Sequence, residues 1–144
     1  MRVTGLDGRE SVWNFSRDSK RRRSRKVSGP HKLARLTLRD LFPRSIILEE
    51  VSLPGTRTTT RNSILYADFF IPDRPLIVEV HGEQHYSYNE FYHKNKRDFY
   101  QSKVRDRDKE EWCRINNIYM AVLDYREGTD EWRKSILNAI GTSG

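Results

Sequence analysis

The stretch "SILYADFFIPDRPLIVEVHGEQHY", Ser63 to Tyr86, decides how this chain folds. It holds two apolar runs, "SILYADFFI" and "PLIVEVHG", each rich in β-branched and aromatic residues and each stopped by a proline or a glycine. That pattern predicts two strands, and the four-residue link "PDRP" predicts a hairpin-like connection between them. Each strand carries one acid where an apolar residue would fit, Asp68 in the first and Glu79 in the second. Side chains alternate across a strand, so Glu79 shares a face with Ile77 and His81. Within seven residues the chain then places Glu79, His81, Glu83 and His85 around Gly82.

Working outward, "HKLARLTLRDLF" reads as a helix with Leu33, Leu36, Leu41 and Phe42 on roughly one face, Leu38 off it, and Pro43 as its end. "SIILEEVSL" reads as a strand closed by Pro54-Gly55. Thr56 to Asn62 is a polar loop whose arginines, Arg57 and Arg61, are candidates for ligand contact. Tyr86 to Tyr100 is aromatic and polar, suited either to stacking bases or to a lid over the core. From about Phe99 to Asn116 there is no Gly or Pro, and a helix is expected, with Val104, Glu111, Trp112 and Ile115 on one side and Asn116-Asn117 as its stop. "IYMAVLDY" is a fourth strand, and Trp132, Ile136, Leu137 and Ile140 mark a last amphipathic helix. The order α-β-β-β-α-β-α predicts an α/β fold with a mixed sheet flanked by helices.

The chain has 144 residues, 35% hydrophobic and 33% charged, with a formal charge of +7. This is enough for one domain with a core and hardly enough for two. Residues 1–30 hold nine Lys/Arg and three Asp/Glu, whereas residues 31–144 hold eighteen and seventeen. The excess charge is therefore concentrated near the N-terminus, most densely in "KRRRSRK", Lys20 to Lys26. Such a run repels itself and lacks apolar periodicity, so residues 1–29 are expected to form a flexible basic arm and residues 30–144 the domain. Lys20, Arg21, Arg22, Arg23, Arg25 and Lys26 are candidate phosphate contacts. Within the arm, Trp13 and Phe15, flanking Asn14, are candidates for a small docking element. No apolar run approaches the roughly 20 residues that span a bilayer, so no membrane role is expected. No secretory leader is evident. The single cysteine, Cys113, excludes an internal disulfide framework, reads as a small core residue and fits a reducing, cytoplasmic setting.

Burying a carboxylate without a partner is costly, and a divalent cation removes that cost. Oxygen ligands on two adjacent strands favour Mg²⁺ or Mn²⁺. Asp68, followed after ten intervening residues by Glu79-Val80-His81, resembles the D-x(n)-E-x-K signature of the restriction-endonuclease-like, or PD-(D/E)XK, nuclease superfamily. "HGEQH" after a strand, then a helix carrying "RD" and a further apolar strand, is similar to the very-short-patch repair and homing-type endonuclease branch. The likeness covers residues 31–126. It implies a restriction-endonuclease-like α-β-β-β-α-β core with a mixed four-stranded sheet, to which this chain adds a C-terminal helix and the basic arm. It also implies Asp68 as principal metal ligand, Glu79 as a second acid and the Val80 carbonyl as a third ligand. His81 would be a general base or phosphate contact, and His85 a general acid or phosphate ligand. His81 stands where the family has lysine. Asp106 matches the helix acid, with Asp108 as a rival, and Lys109 would contact phosphate or replace the missing lysine. For the acid the branch carries on its first helix, Asp40, Glu49 and Glu50 remain open.

The implied function is a Mg²⁺- or Mn²⁺-dependent endonuclease acting on DNA, with RNA as an alternative substrate. It would be phage- or mobile-element-encoded, act in the cytoplasm of a bacterial host, and be compatible with a homodimer or a larger assembly. The alternatives are a catalytically silent nucleic-acid-binding module and a phage structural or packaging protein of the same fold.

Overall fold

The computed structural model of the protein describes residues 1–18, 28–82 and 96–141. The elements in chain order are β1 (Arg2–Thr4), β2 (Glu10–Val12), α1 (Phe15–Asp18), α2 (Gly29–Leu41), β3 (Leu48–Leu53), β4 (Leu65–Ile71), β5 (Leu76–His81), α3 (Lys96–Ile115), β6 (Tyr119–Asp124) and α4 (Thr129–Ala139). From α2 onward this is the α-β-β-β-α-β-α order expected from the sequence. The fold is α/β, with a four-stranded mixed sheet in the order β3-β4-β5-β6. β3, β4 and β5 run antiparallel in succession, and β6 lies parallel to β5 after the α3 crossover.

One face of the sheet packs on α2 and α4. Phe69, Ile71, Leu76, Val78, Ala121 and Leu123 meet Ala34, Leu38, Phe42, Trp132 and Ile136 there. The other face, formed by Leu48, Val51, Leu53, Ala67, Phe70 and Ile77, packs on Trp112 and Cys113 of α3. Because both faces are covered, the central strands read as near-continuous apolar runs, and any acid in them is conspicuous.

The buried stripe of α2 differs from the expected one. Leu38 is fully buried, whereas Leu33 and Leu36 are exposed. The stripe is built on His31, Ala34, Leu38 and Phe42, at helical spacing but with a histidine and an alanine in place of large aliphatics. The His31 ring stacks on Phe69 with centroids 4.5 Å apart, and its Nε2 lies 2.8 Å from Glu49 Oε1. The helix starts where Ser28 Oγ accepts the His31 N–H, with Pro30 in the first turn.

The N-terminus differs more. Residues 1–18 are not an arm: β1 and β2 form an antiparallel hairpin, followed by the short α1. Trp13 is 1% exposed, within the core beneath α3. Its ring sits 4.5 Å from Phe70 and 5.2 Å from Trp112, and its Nε1–H donates to the Ser52 carbonyl at 2.9 Å. Asn116 ties the hairpin to the end of α3, accepting the Thr4 N–H and donating to the Thr4 carbonyl. Gly5 and Gly55 approach so closely that a Cβ on Gly55 would lie 2.4 Å from Gly5 Cα, and Gly55 has φ +77°. Charge near the N-terminus masked a docking segment, because one tryptophan outweighs many solvated charges in burial energy. The basic run Lys20, Arg21, Arg22, Arg23, Arg25 and Lys26 lies outside the described residues.

All three tryptophans are buried and each indole N–H finds a main-chain carbonyl: Trp13 on Ser52, Trp112 on Pro54 and Trp132 on Asp124. Trp13→Ala is expected to cost about 3–5 kcal/mol of unfolding free energy, read by urea denaturation. A loss under about 0.5 kcal/mol, typical of a surface site, would mean that the hairpin is not part of the core.

Candidate functional site

The sheet is irregular at one rung. The β4–β5 ladder pairs Ile71 with Leu76, Phe70 with Ile77 and Phe69 with Val78, and then stops. The next positions are Asp68 and Glu79. There, two side chains take over the role of the backbone. The Asp68 N–H donates to Glu79 Oε2 at 2.8 Å, and the Val80 N–H donates to Asp68 Oδ2 at 2.8 Å. Each strand thus satisfies a main-chain donor with the other strand's carboxylate, as a buried backbone group must be satisfied.

The same rung continues into β3. Glu49 pairs with Phe69 and Val51 with Ala67, so Glu50 stands opposite Asp68. Glu50 has φ +50°, a left-handed conformation that costs a non-glycine residue about 1–2 kcal/mol. Side-chain alternation slips at this point. Leu48 and Val51 of β3, and Phe70 and Ala67 of β4, all face α3 although each pair is an odd number of residues apart. Glu50, Asp68 and Glu79 therefore occupy one rung across three strands.

Helix α3 brings the counter-charge. Asp106, Lys109 and Cys113 recur at i, i+3 and i+7, one stripe of the helix. The Lys109 ammonium donates to Glu79 Oε1. Asp106 Oδ1 lies 3.8 Å from His81 Nε2. Asp108 points elsewhere and is bonded by the Arg61 guanidinium at 2.9 Å. Helix rotation separates Asp106 from Asp108: Asp106 faces the histidine and Asp108 faces the 56–62 loop.

The three acids left open for the first-helix position lie apart. Asp40 pairs with Arg133 on the surface. Glu49 is held by Arg35 through two bonds of 2.8 Å and by His31, on the α2 face of the sheet. Glu50 is the one that acts on Asp68. Asp68 does not pair with Arg57 or Arg61. Arg57 donates to the Asn62 carbonyl, and Arg61 to Asp108 and the Thr56 carbonyl. Glu79 is not an edge charge either, since it sits on an interior strand and is 2% exposed. His85 lies outside the described residues, as does most of the aromatic stretch from Tyr86. Sequence reading missed the weight of Glu50, because only the register places it opposite Asp68.

The electrostatics follow from this geometry. Burial pushes the Asp68 carboxyl up to about 7, and the Glu79 and Glu50 carboxylates add to the shift while the Val80 N–H and Lys109 oppose it. For Lys109, burial works against the charged form, but Glu79, then Asp68 and Asp106, outweigh it and hold the ammonium above its ordinary range. The Cys113 thiol is pushed up to about 12 by burial and by Glu79, so it is an inert core group. Several carboxylates thus share one rung with a single lysine. Among the described residues no three of His, Cys, Asp and Glu converge to hold a metal ion. The oxygens that are present, from Asp68, Glu79 and the Val80 carbonyl, are hard donors that suit Mg²⁺ or Mn²⁺, and the raised affinity of Asp68 for its proton marks a place where positive charge is wanted.

The chain is 36% identical over 61 residues to "Uncharacterized protein 033L" of Invertebrate iridescent virus 3, a match covering 42% of this chain and 31% of that protein. It is 35% identical over 72 residues to "Uncharacterized protein 307L" of Invertebrate iridescent virus 6, covering 50% of this chain and 36% of that protein. The chain thus spans about a third of the length of the curated relatives it matches. No family model and no solved structure matches it.

An acid whose folded pKa lies above its unfolded value binds its proton more tightly when folded. Asp68 therefore subtracts stability as pH rises from about 4 towards 7 and above. The metal-free protein should melt several degrees lower at pH 7.5 than at pH 5, and Asp68→Asn should remove much of that difference. Thermal melts across this range check it. An unchanged pH profile in Asp68→Asn would contradict the burial of a shifted carboxyl at this rung.

Proposed function

We propose that the chain is a divalent-metal-dependent phosphodiesterase that cuts nucleic-acid strands, DNA before RNA. The observation that carries this reading is the Asp68–Glu79 pair. Two interior strands give up their ladder to bring two carboxylates together, and a buried lysine closes on them. A purely structural pair would not need three acids on one rung. The restriction-endonuclease-like topology and the likeness to the very-short-patch branch belong to the same proposal.

Asp68, Glu79 and the Val80 carbonyl would hold Mg²⁺ or Mn²⁺. When bound, such an ion supplies charge neutralisation at the phosphate and a lower pKa for a coordinated water. Lys109 stays protonated at neutral pH, so its role is that of a fixed cation beside the reacting phosphate, where the family's lysine would act. His81 is the proton carrier: imidazole exchanges a proton near neutral pH, and Asp106 at 3.8 Å stabilises the imidazolium that forms. His81 and Lys109 thus divide between two elements what the signature places on one residue.

The basic run Lys20 to Lys26 would hold the nucleic-acid backbone. Arg57 and Arg61 are bonded within their loop, which leaves them to shape that surface more than to grip phosphate. The viral relatives fit a virus-encoded protein. Action in the host cytoplasm, and assembly as a homodimer or in a larger complex, are further parts of the proposal. Among the described residues no helix is long and apolar enough to cross a membrane.

Incubation with plasmid, single-stranded and branched DNA in Mg²⁺, Mn²⁺ or EDTA tests the reading. Cleavage is expected with either metal and absent in EDTA. Asp68→Ala should abolish it, and Lys109→Ala should lower the rate roughly 100- to 1,000-fold. Cleavage that survives EDTA or Asp68→Ala would overturn the proposal. Binding without cleavage under every condition would favour a silent nucleic-acid-binding or packaging protein. Because Trp13 is a core residue, the basic run is tested by substitution rather than truncation. Replacing its six Lys and Arg residues with Ser should flatten the salt dependence of DNA binding by several phosphates' worth and leave the melting temperature unchanged. An unaltered salt slope would mean that the run does not touch phosphate.

A further inference from the structure

A second feature of α3 lies on the side of the helix that faces the 56–62 loop. Arg97, Gln101, Val104, Arg105 and Asp108 recur at helical spacing and form one stripe, with Tyr100 beside Val104. Between this stripe and the 56–62 loop is a cleft of about 340 Å³, lined by Arg61, Arg97, Tyr100, Gln101, Val104 and Arg105. Its volume is that of a small-molecule site, room for one nucleotide and not for a duplex.

The charges in the cleft are unequal. Arg61 is largely spent on Asp108, 2.9 Å away, and on the Thr56 carbonyl, and so fixes the loop wall. Neither Arg97 nor Arg105 makes an ion pair among the described residues. Tyr100, between them in sequence, is 65% exposed, a large aromatic surface left open to water beside two guanidinium groups. Arg105 precedes Lys109 by four residues, a rise of about 6 Å along the helix. One strand can therefore lie across both places.

We infer that this cleft holds an unpaired nucleotide of the strand presented to Asp68 and Glu79, with Arg97 and Arg105 on its phosphates and the Tyr100 ring stacked on its base; this rests on the phosphodiesterase reading above. Guanidinium groups supply phosphate affinity. An exposed aromatic adds affinity only where a base face is accessible, which a paired duplex does not offer. The substrate class is thus single-stranded nucleic acid, or a duplex with an unpaired or displaced strand.

The test uses the full chain in EDTA, so that nothing is cut, and fluorescence anisotropy with a labelled single-stranded oligonucleotide and its duplex. Single strands should bind at least tenfold more tightly. Tyr100→Ala should weaken single-strand binding about five- to 100-fold with an unchanged salt slope, and Tyr100→Phe should restore it. The Arg97→Ala/Arg105→Ala pair should lower the salt slope by about 1.4. Equal affinity for duplex and single strand, or wild-type binding by Tyr100→Ala and by the arginine pair, would overturn the inference. Hydrolysis of bis(p-nitrophenyl) phosphate with Mn²⁺ separates the two readings, since that substrate is too small to need the cleft. Wild-type hydrolysis with unaltered strand binding in the cleft variants would remove the cleft and keep the phosphodiesterase. The expected binding pattern with no hydrolysis of either substrate would keep the cleft as a strand-binding site and remove the phosphodiesterase.

Discussion

The exchange of backbone pairing for carboxylates between β4 and β5 is the constraint around which the rest is arranged. A strand pair that ends its ladder inside a sheet must find other partners for its N–H groups. Here the partners are acids, Glu79 for Asp68 and Asp68 for Val80. The arrangement brings negative charge into a place where charge is poorly tolerated. Asp68 responds by holding its proton more tightly, and Lys109 responds by keeping its own. Glu50, in a strained conformation on the same rung, adds to the imbalance. A sheet selected for stability alone would place apolar residues at these three positions, as Val51 and Ala67 do on the next rung.

What holds this rung in shape is the packing on each side of it. Below, α2 and α4 close the sheet with Leu38, Phe42, Trp132 and Ile136. Above, α3 must lie at one rotation, so that Lys109 and Asp106 face the acids and Asp108 faces Arg61. Trp112 fixes that rotation with an indole bond to the Pro54 carbonyl, and Trp13 buttresses Trp112 edge-on at 5.2 Å. The N-terminal hairpin is thus linked to the site through two tryptophans. Its loss would loosen α3, and with it the lysine.

Much of this was legible in the residues. Asp68 and Glu79 stood out because each interrupts an apolar strand, and period-two alternation placed Glu79 on the Ile77 and His81 face. The element order followed from proline, glycine and asparagine stops. Asn117 in particular takes a left-handed φ of +54° just after α3. What the residues could not show depends on tertiary placement. Helix rotation, which separates Asp106 from Asp108, is set by contacts with the 54–62 segment and not by α3's own weak amphipathicity. The face of α2 was misread because the apolar stripe runs through His31 and Ala34 and leaves two leucines outside. Trp13 and Phe15 stood out as a docking element but could not be placed, because charge density nearby says nothing about where a single large aromatic packs. Glu50 has no local signal at all: its position opposite Asp68 follows only from the β3–β4 register.

The central claim is that the Asp68–Glu79 rung is built to take a divalent cation. Crystals grown with Mn²⁺ and measured for its anomalous signal test this most directly. The account predicts one strong peak about 2.1–2.3 Å from carboxylate oxygens of Asp68 and Glu79 and from the Val80 carbonyl, with Lys109 still beside the pair. A map with millimolar Mn²⁺ and no peak at that rung, or with its peak elsewhere on the chain, would contradict it.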